Sequence, residues 1–365
     1  MTRLFIFGYI RKKCCMKRTA GIFTASSLNA SPLSIRFWKI VQLLFWCVGI
    51  GLMLTMLFVP ALGVTLFWNI LIPLAPALLV MCTGIWRNIC PLATTSLIPE
   101  KLGISKKKKL SFDQQQTLNI FGVTALFIII PLRHVLFDIS GQATATIIFA
   151  ISVVAVSAGI IFESKSGWCA GLCPIHAVEK LYGSKVAFSL PNAHCNTCVK
   201  CSVPCPDSTK NLTPLSLKSS KSKVVEILLA GAFPGYIWGW FQVPDYMPGF
   251  PLKDYFSVYT FPLLGGIVTL LSYLAAKRLL KKNSKLVIRL FAAAAVSCYY
   301  WFRLPQLFGF SNVATNGVLI DLNGHLSIWS IYIVRLTTTF LFMWWMVFAN
   351  VKEKSWTVRP AYAVE

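Results

Sequence analysis

Charge is what this chain has least of. Only 13% of its 365 residues are Asp, Glu, Lys or Arg, where an ordinary soluble domain carries about 25%. That is too few to coat two or three water-exposed domains. Acid is scarcer still: 12 Asp and Glu stand against 35 Lys and Arg, and none precedes Glu100. There is no Walker loop, no metalloprotease helix and no nucleophile elbow, so the common signatures of P-loop nucleotide binding, zinc proteolysis and hydrolase chemistry are missing. What fills the chain is apolar, 56% of residues, with a mean hydropathy of +0.66. Such a composition belongs in a bilayer. About twenty apolar residues cross one, so eight crossings use roughly 160 residues and leave about two hundred for loops and one modest extramembrane unit.

Apolar stretches near 37–58, 64–86, 118–137, 143–162, 224–244, 256–276, 286–302 and 328–349 are each long enough to span as helices. Pro73 and Pro76 in the second and Pro234 in the fifth predict kinks. The net charge of +23 is carried beside these stretches. It lies in the opening tail, in Lys106 to Lys109 after the second span, in the 163–223 connection, and in Lys277, Arg278, Lys281, Lys282 and Lys285 after the sixth. The alternate connections offer little beyond Arg133, Lys253 and Arg303. By the positive-inside rule both termini and the 163–223 loop face the cytoplasm, in an inner membrane. The charge thus reads as topology and lipid contact, not as nucleic acid binding.

The expected product is an all-α integral membrane protein of about eight transmembrane helices with a small cytoplasmic ferredoxin-like iron-sulfur loop. Residues 1–36 form a basic cytoplasmic tail: the apolar run Leu4–Ile10 is short for a signal peptide and no clear small-residue cleavage site follows. Four helices occupy 37–162, the iron-sulfur loop 163–223, four more helices 224–349, and a cytoplasmic tail 350–365. Within the first four, Trp86-Arg87-Asn88-Ile89-Cys90-Pro91-Leu92 followed by Glu100-Lys101-Leu102-Gly103 parallels Cys169-Ala170-Gly171-Leu172-Cys173-Pro174-Ile175 followed by Glu179-Lys180-Leu181-Tyr182-Gly183. Each segment follows a pair of spans on the same membrane face, so this half reads as two hairpin repeats, the first capped at 86–103. The two Cys-Pro caps are expected to approach one another.

Twelve cysteines take their meaning from clustering. Cys195-x2-Cys198-x2-Cys201-x3-Cys205-Pro206 has the spacing by which short steps turn successive thiolates around one iron-sulfur cube, the proline bringing the last from a chain that turns away. The competing zinc reading calls for two Cys pairs a dozen or more residues apart, and disulfides do not suit a cytoplasmic loop. Trp168-Cys169-x3-Cys173-Pro174, where the fourth span ends, is less specific, since two such cysteines also serve as small hydrophobes.

These motifs resemble the membrane-bound polyferredoxins that accompany periplasmic nitrate and nitrous oxide reductases, and the related protein of cytochrome oxidase copper assembly. The resemblance rests on Cys169-x3-Cys173-Pro174, on Cys195, Cys198, Cys201 and Cys205, and on the degenerate Cys90-Pro91 copy, over roughly residues 40–215. It implies cytoplasmic-side [4Fe-4S] chemistry coupled to membrane electron transfer, often from quinol. Members commonly have two quartets and two complete C-x3-C-P segments; here there is one quartet, and Trp86 stands where a leading cysteine belongs. One cluster, on Cys195, Cys198, Cys201 and Cys205, is therefore expected. Since the fourth cysteine of such a run can serve the other cluster of a pair, Cys205 with Cys169, Cys173 and Cys90 is an open second site. The last three are alternatively a redox pair or passive residues. Lys185, Lys200 and Lys210 against Asp207 give positive surroundings that raise a cluster's potential, or mark a basic loop near anionic lipid.

The expected function is passage of electrons between a membrane donor such as quinol and a protein or metal acceptor, which makes the quinone pool or a redox protein the partner. A cupric or ferric reductase for cofactor assembly is one alternative; a transporter or scaffold with a structural or sensing Cys loop is another. The catalytic residues are unassigned. Arg335, a third of the way into the last span, needs a carboxylate, a carbonyl or a quinone oxygen, while Glu226 and Arg289 read as snorkelling at span ends. Haem on His134 and His325 is disfavoured because His325 is in a loop. His176 and His194 flank the cysteine motifs. Flavin on the turn Asp138 to Thr146 is disfavoured by the inserted Gln142, and a plain turn is expected. Cys14, Cys15, Cys47, Cys82 and Cys298 read as unligated, and Tyr236, Trp238, Trp240 and Phe241 as a packing cluster.

Overall fold

The computed structural model describes residues 32–163, 165–183, 185, 187, 220–244, 256–310 and 317–349, and every regular element among them is helical. In chain order these are α1 (Arg36–Phe58), α2 (Pro60–Met81), the short α3 (Thr83–Ile89) and α4 (Pro91–Ser96), α5 (Asp113–Phe137), α6 (Gly141–Ile161), the short α7 (Pro174–Tyr182), α8 (220–240), α9 (Ser257–Leu279), α10 (Lys281–Leu307) and α11 (Trp329–Phe348). Seven of them, all but α3, α4, α7 and α8, are long and apolar enough to cross a membrane. The outward faces are apolar, as in Phe37, Ile40 and Leu43 of α1 and Leu263, Val268 and Leu271 of α9. Helices in lipid look like this.

The stretch expected to span at 224–244 forms α8, which is not among the seven but runs alongside α5, from Lys221 paired to Asp113 up to Trp240 bonded to the Ile130 carbonyl. Its opening turns carry Lys221, Lys223 and Glu226, leaving an uncharged run over 227–240 of about 21 Å at 1.5 Å per residue, against a hydrocarbon core of about 30 Å. Most of that run is buried inside the protein. Glu226 does not snorkel. It is buried and accepts hydrogen bonds from Tyr273 and Lys277 of α9, which offsets the cost of removing its charge from water.

The core lies between the two halves of the chain. Val80 of α2, Val123 of α5, Leu229 of α8, Ala292, Ala293 and Val296 of α10, and Phe342 of α11 meet in one buried cluster. A second tie runs through the backbone of α2. Pro76 lies between Pro73 and Ala77, and the Tyr300 hydroxyl of α10 enters the ladder at that point, accepting from Ala77 N–H (3.0 Å) and donating to the Pro73 carbonyl (2.7 Å). A side chain inserted into the i→i−4 ladder is a standard cause of a bend. On α5, the Phe127 and Ile130 carbonyls accept from Tyr236 and Trp240 of α8, so these aromatics pack between halves.

Candidate functional site

Both Cys-Pro segments make the same turn. Proline disfavours the helical basin for the residue before it and is pre-organised for the first helical position. Cys90 accordingly sits at φ −58°, ψ 115° and Cys173 at φ −70°, ψ 114°, each capping a helix that opens on its proline. The two copies differ just upstream, where α3 precedes Cys90 and a π-helical turn, Trp168–Leu172, precedes Cys173. Carbonyls of that turn are held from α5: Gln115 donates to Ala170 (3.0 Å), and the Asn119 amide, oriented with its nitrogen toward the turn, donates to Gly171 (2.7 Å) and Ala170 (3.1 Å).

The fold brings the two caps against each other. Arg87 of α3 and Glu179 of α7 form a buried ion pair, Gly183 at the end of α7 abuts Thr83 at the start of α3, and Ser96 Oγ lies 4.0 Å from Cys169 Sγ. Each cap also rests on a helix glycine. A Cβ at Gly122 of α5 would run into the Leu172 carbonyl, and one at Gly159 of α6 into the Ser96 carbonyl. Backbone approaches this close exclude any side chain.

Electrostatics at the seam favour neutral thiols. Cys173 is pushed up to about 12, first by burial and then by the neighbouring Cys90. Burial also raises Cys90, partly offset by the Leu92 and Ala93 backbone N–H groups and by Lys165. Both thiols are thus protonated at neutral pH, and a metal binding there would have to displace the protons. Buried charges of both signs gather at this end of the bundle, Lys165, Lys180, Lys185 and Arg87 with Glu163 and Glu179, and His176 is buried as well. Lys185 is driven down by burial and by Arg289, so Arg289 faces another cation at this end of the bundle.

Cys90 and Cys173 are thus brought together, while Cys169 turns toward Ser96. Among the described residues no group of three or more His, Cys, Asp or Glu is arranged to hold a metal ion, and Cys205, the fourth member of the possible second site, lies outside them. Cys195, Cys198, Cys201 and Cys205, with His194, Lys200, Asp207 and Lys210, lie outside the described residues, as do Cys14 and Cys15. The chain matches no family model, no curated protein and no solved structure. Its likeness to the polyferredoxins rests on the cysteine motifs alone.

Other residues singled out in the sequence find local partners. Arg335 donates to the Trp301 carbonyl (3.0 Å) with its guanidinium 5.3 Å from the Trp301 ring centroid. The His134 ring packs tilted against Trp240, and one of its nitrogens lies 3.1 Å from the Trp240 carbonyl oxygen; His325 is exposed. In the 138–146 turn, Ser140 caps α6 through Ala143 N–H (3.1 Å), and the buried Thr144 hydroxyl donates to Phe137 O (2.9 Å). Sequence reading missed the pairing of Arg87 with Glu179, the support from Gln115 and Asn119, and Arg133, which lies buried and is paired to Asp138.

Proposed function

We propose that this chain is a membrane-bound [4Fe-4S] electron-transfer protein, its cluster held by Cys195, Cys198, Cys201 and Cys205 on the cytoplasmic side. It passes electrons between a membrane donor such as quinol and a protein or metal acceptor. The observation that carries the reading is the pairing of the two Cys-Pro turns. Two segments 83 residues apart in the repeat fold into one buried seam whose buried cations outnumber its acids, and the quartet begins 22 residues after Cys173. An anionic thiolate cluster gains from positive surroundings, which favour the added electron. When bound, the cluster supplies one-electron chemistry; the chain supplies the cradle and its position.

The test is iron and acid-labile sulfide analysis of purified protein with its visible spectrum before and after dithionite. About four of each per chain is the expectation for one cube, with a broad absorbance that bleaches on reduction and is lost in Cys198→Ser. A colourless, zinc-loaded protein, or cystines at these positions, ends the reading. Cupric or ferric reduction by the purified protein, without quinol oxidation, would favour the reductase alternative.

A further inference from the structure

The two halves of the bundle enclose a cavity of about 700 Å³, within the range of about 300–1,000 Å³ typical of ligand sites. Ala75 of α2, Ala125 of α5, Ala150 of α6 and Ala295 of α10 line it, and their small side chains leave the volume. Phe121 and Ala125 on α5 and Ala150 and Val154 on α6 line it and are also exposed. The cavity therefore opens sideways between these two helices, into the lipid. Its floor is Trp168, Leu172 and Pro174, the residue after Cys173.

The charged residue of the lining stands at the opposite end. There the lining residue Arg133 is 4% exposed, its Nε donating to both Asp138 oxygens at 2.9 Å. Among the described residues its two terminal amino groups make no hydrogen bond. Its guanidinium carbon stands 4.9 Å from the Trp68 ring and 5.2 Å from the Trp240 ring, and both tryptophans line the cavity with Tyr299.

This geometry points to the binding site of a lipid-borne quinone or quinol, its ring among Trp68, Trp240 and Tyr299, one ring oxygen accepting from Arg133, and its tail leaving between α5 and α6. Three features select that class. Asp138 already neutralises Arg133, so a full anion such as a fatty acid carboxylate or a lipid phosphate would meet a carboxylate as well as the cation, whereas a neutral oxygen needs only the free N–H groups. The aromatic walls suit a flat ring. From Arg133 to Gly122, where the cavity meets the floor, α5 rises about 17 Å at 1.5 Å per residue, so a ring at Arg133 leaves apolar space for the first part of a tail. The site also gives the last helices a role, since α8 and α10 build its back wall. The inference rests on the proposed redox function only for what the ligand does, not for its binding.

The test is a titration of the full chain in lipid nanodiscs with decyl-ubiquinone, read by quenching of tryptophan fluorescence. Saturable quenching is expected, weakened at least tenfold in Ala125→Phe/Ala150→Phe, which narrows the lipid-facing portal without touching the core. It should also weaken in Arg133→Lys, which keeps the charge beside Asp138 and loses the fork. Stearate should not displace the quinone. Non-saturable quenching, unchanged affinity in the portal variant, or equal displacement by stearate would overturn the site. Iron measured on the same samples separates the two ideas: quinone binding without iron leaves this site standing and removes the redox reading, and iron without quinone binding does the reverse.

Discussion

The first and second caps share a backbone and differ in chemistry. Cys90-Pro91 and Cys173-Pro174 turn through nearly the same angles, yet the upstream position is Trp86 in one and Cys169 in the other. The π turn and its Gln115 and Asn119 supports belong to the second copy. The turn does not need the thiol. Proline imposes the turn whatever precedes it by four residues, whereas the Cys169 sulfur is a feature of the second copy only. The second cap is therefore the one to probe for chemistry, and the first for support.

The comparison can be broken at several levels. In iron-free protein the Cys173 thiol, near 12, has about a thousandfold less thiolate at neutral pH than a thiol at 9. Alkylation by iodoacetamide should therefore rise about tenfold per pH unit from 8 to 11. Cys90, also raised by burial, should show the same climb; a rate flat across that range, followed by mass spectrometry, would mean that the seam does not hold its thiols protonated.

Next in size is the seam itself. Glu179→Ala leaves Arg87 buried without its carboxylate and should cost about 3–5 kcal/mol in apparent stability, while Arg87→Met/Glu179→Leu should recover most of it. Thermal melts in detergent decide this, and a double variant no better than the single would place the cost elsewhere. Gly122→Ala and Gly159→Ala should each cost about 1–3 kcal/mol, because the atoms met are backbone carbonyls that cannot swing aside. A loss at Gly122 alone would mean the first cap is loosely seated. The smallest effect is Ser96→Ala, which removes a hydroxyl bonded to Ala93 O and near Cys169. It should cost under about 1 kcal/mol, and it should leave the melting curve almost unmoved.

Long apolar runs made seven helices readable, because crossing a bilayer demands length and hydrophobicity that few other structures need. The Cys-Pro turns were equally readable, since the constraint is local to two residues. In α8 the sequence shows Glu226 but not its receivers, Tyr273 and Lys277, which lie 47 and 51 residues further on. The Arg87–Glu179 pair was invisible for the same reason. Its members are 92 residues apart, and the repeat aligns Arg87 with Ala170 rather than with its partner. Arg133 looked like a stray charge at a span end, since only the folded bundle sets it between Trp68 and Trp240.

The hydroxyl of Tyr300 has a consequence for how the molecule can be divided. It stands between the Ala77 amide and the Pro73 carbonyl, which a regular helix would pair with each other, so a fragment ending before residue 220 must either close that bond by straightening α2 or leave both groups unmet in hydrocarbon. The cysteine-bearing half is not a free-standing module onto which later helices were hung. Expressed by itself it should be degraded or aggregate, and co-expression with residues 220–365 should rescue it only if Tyr300 is present.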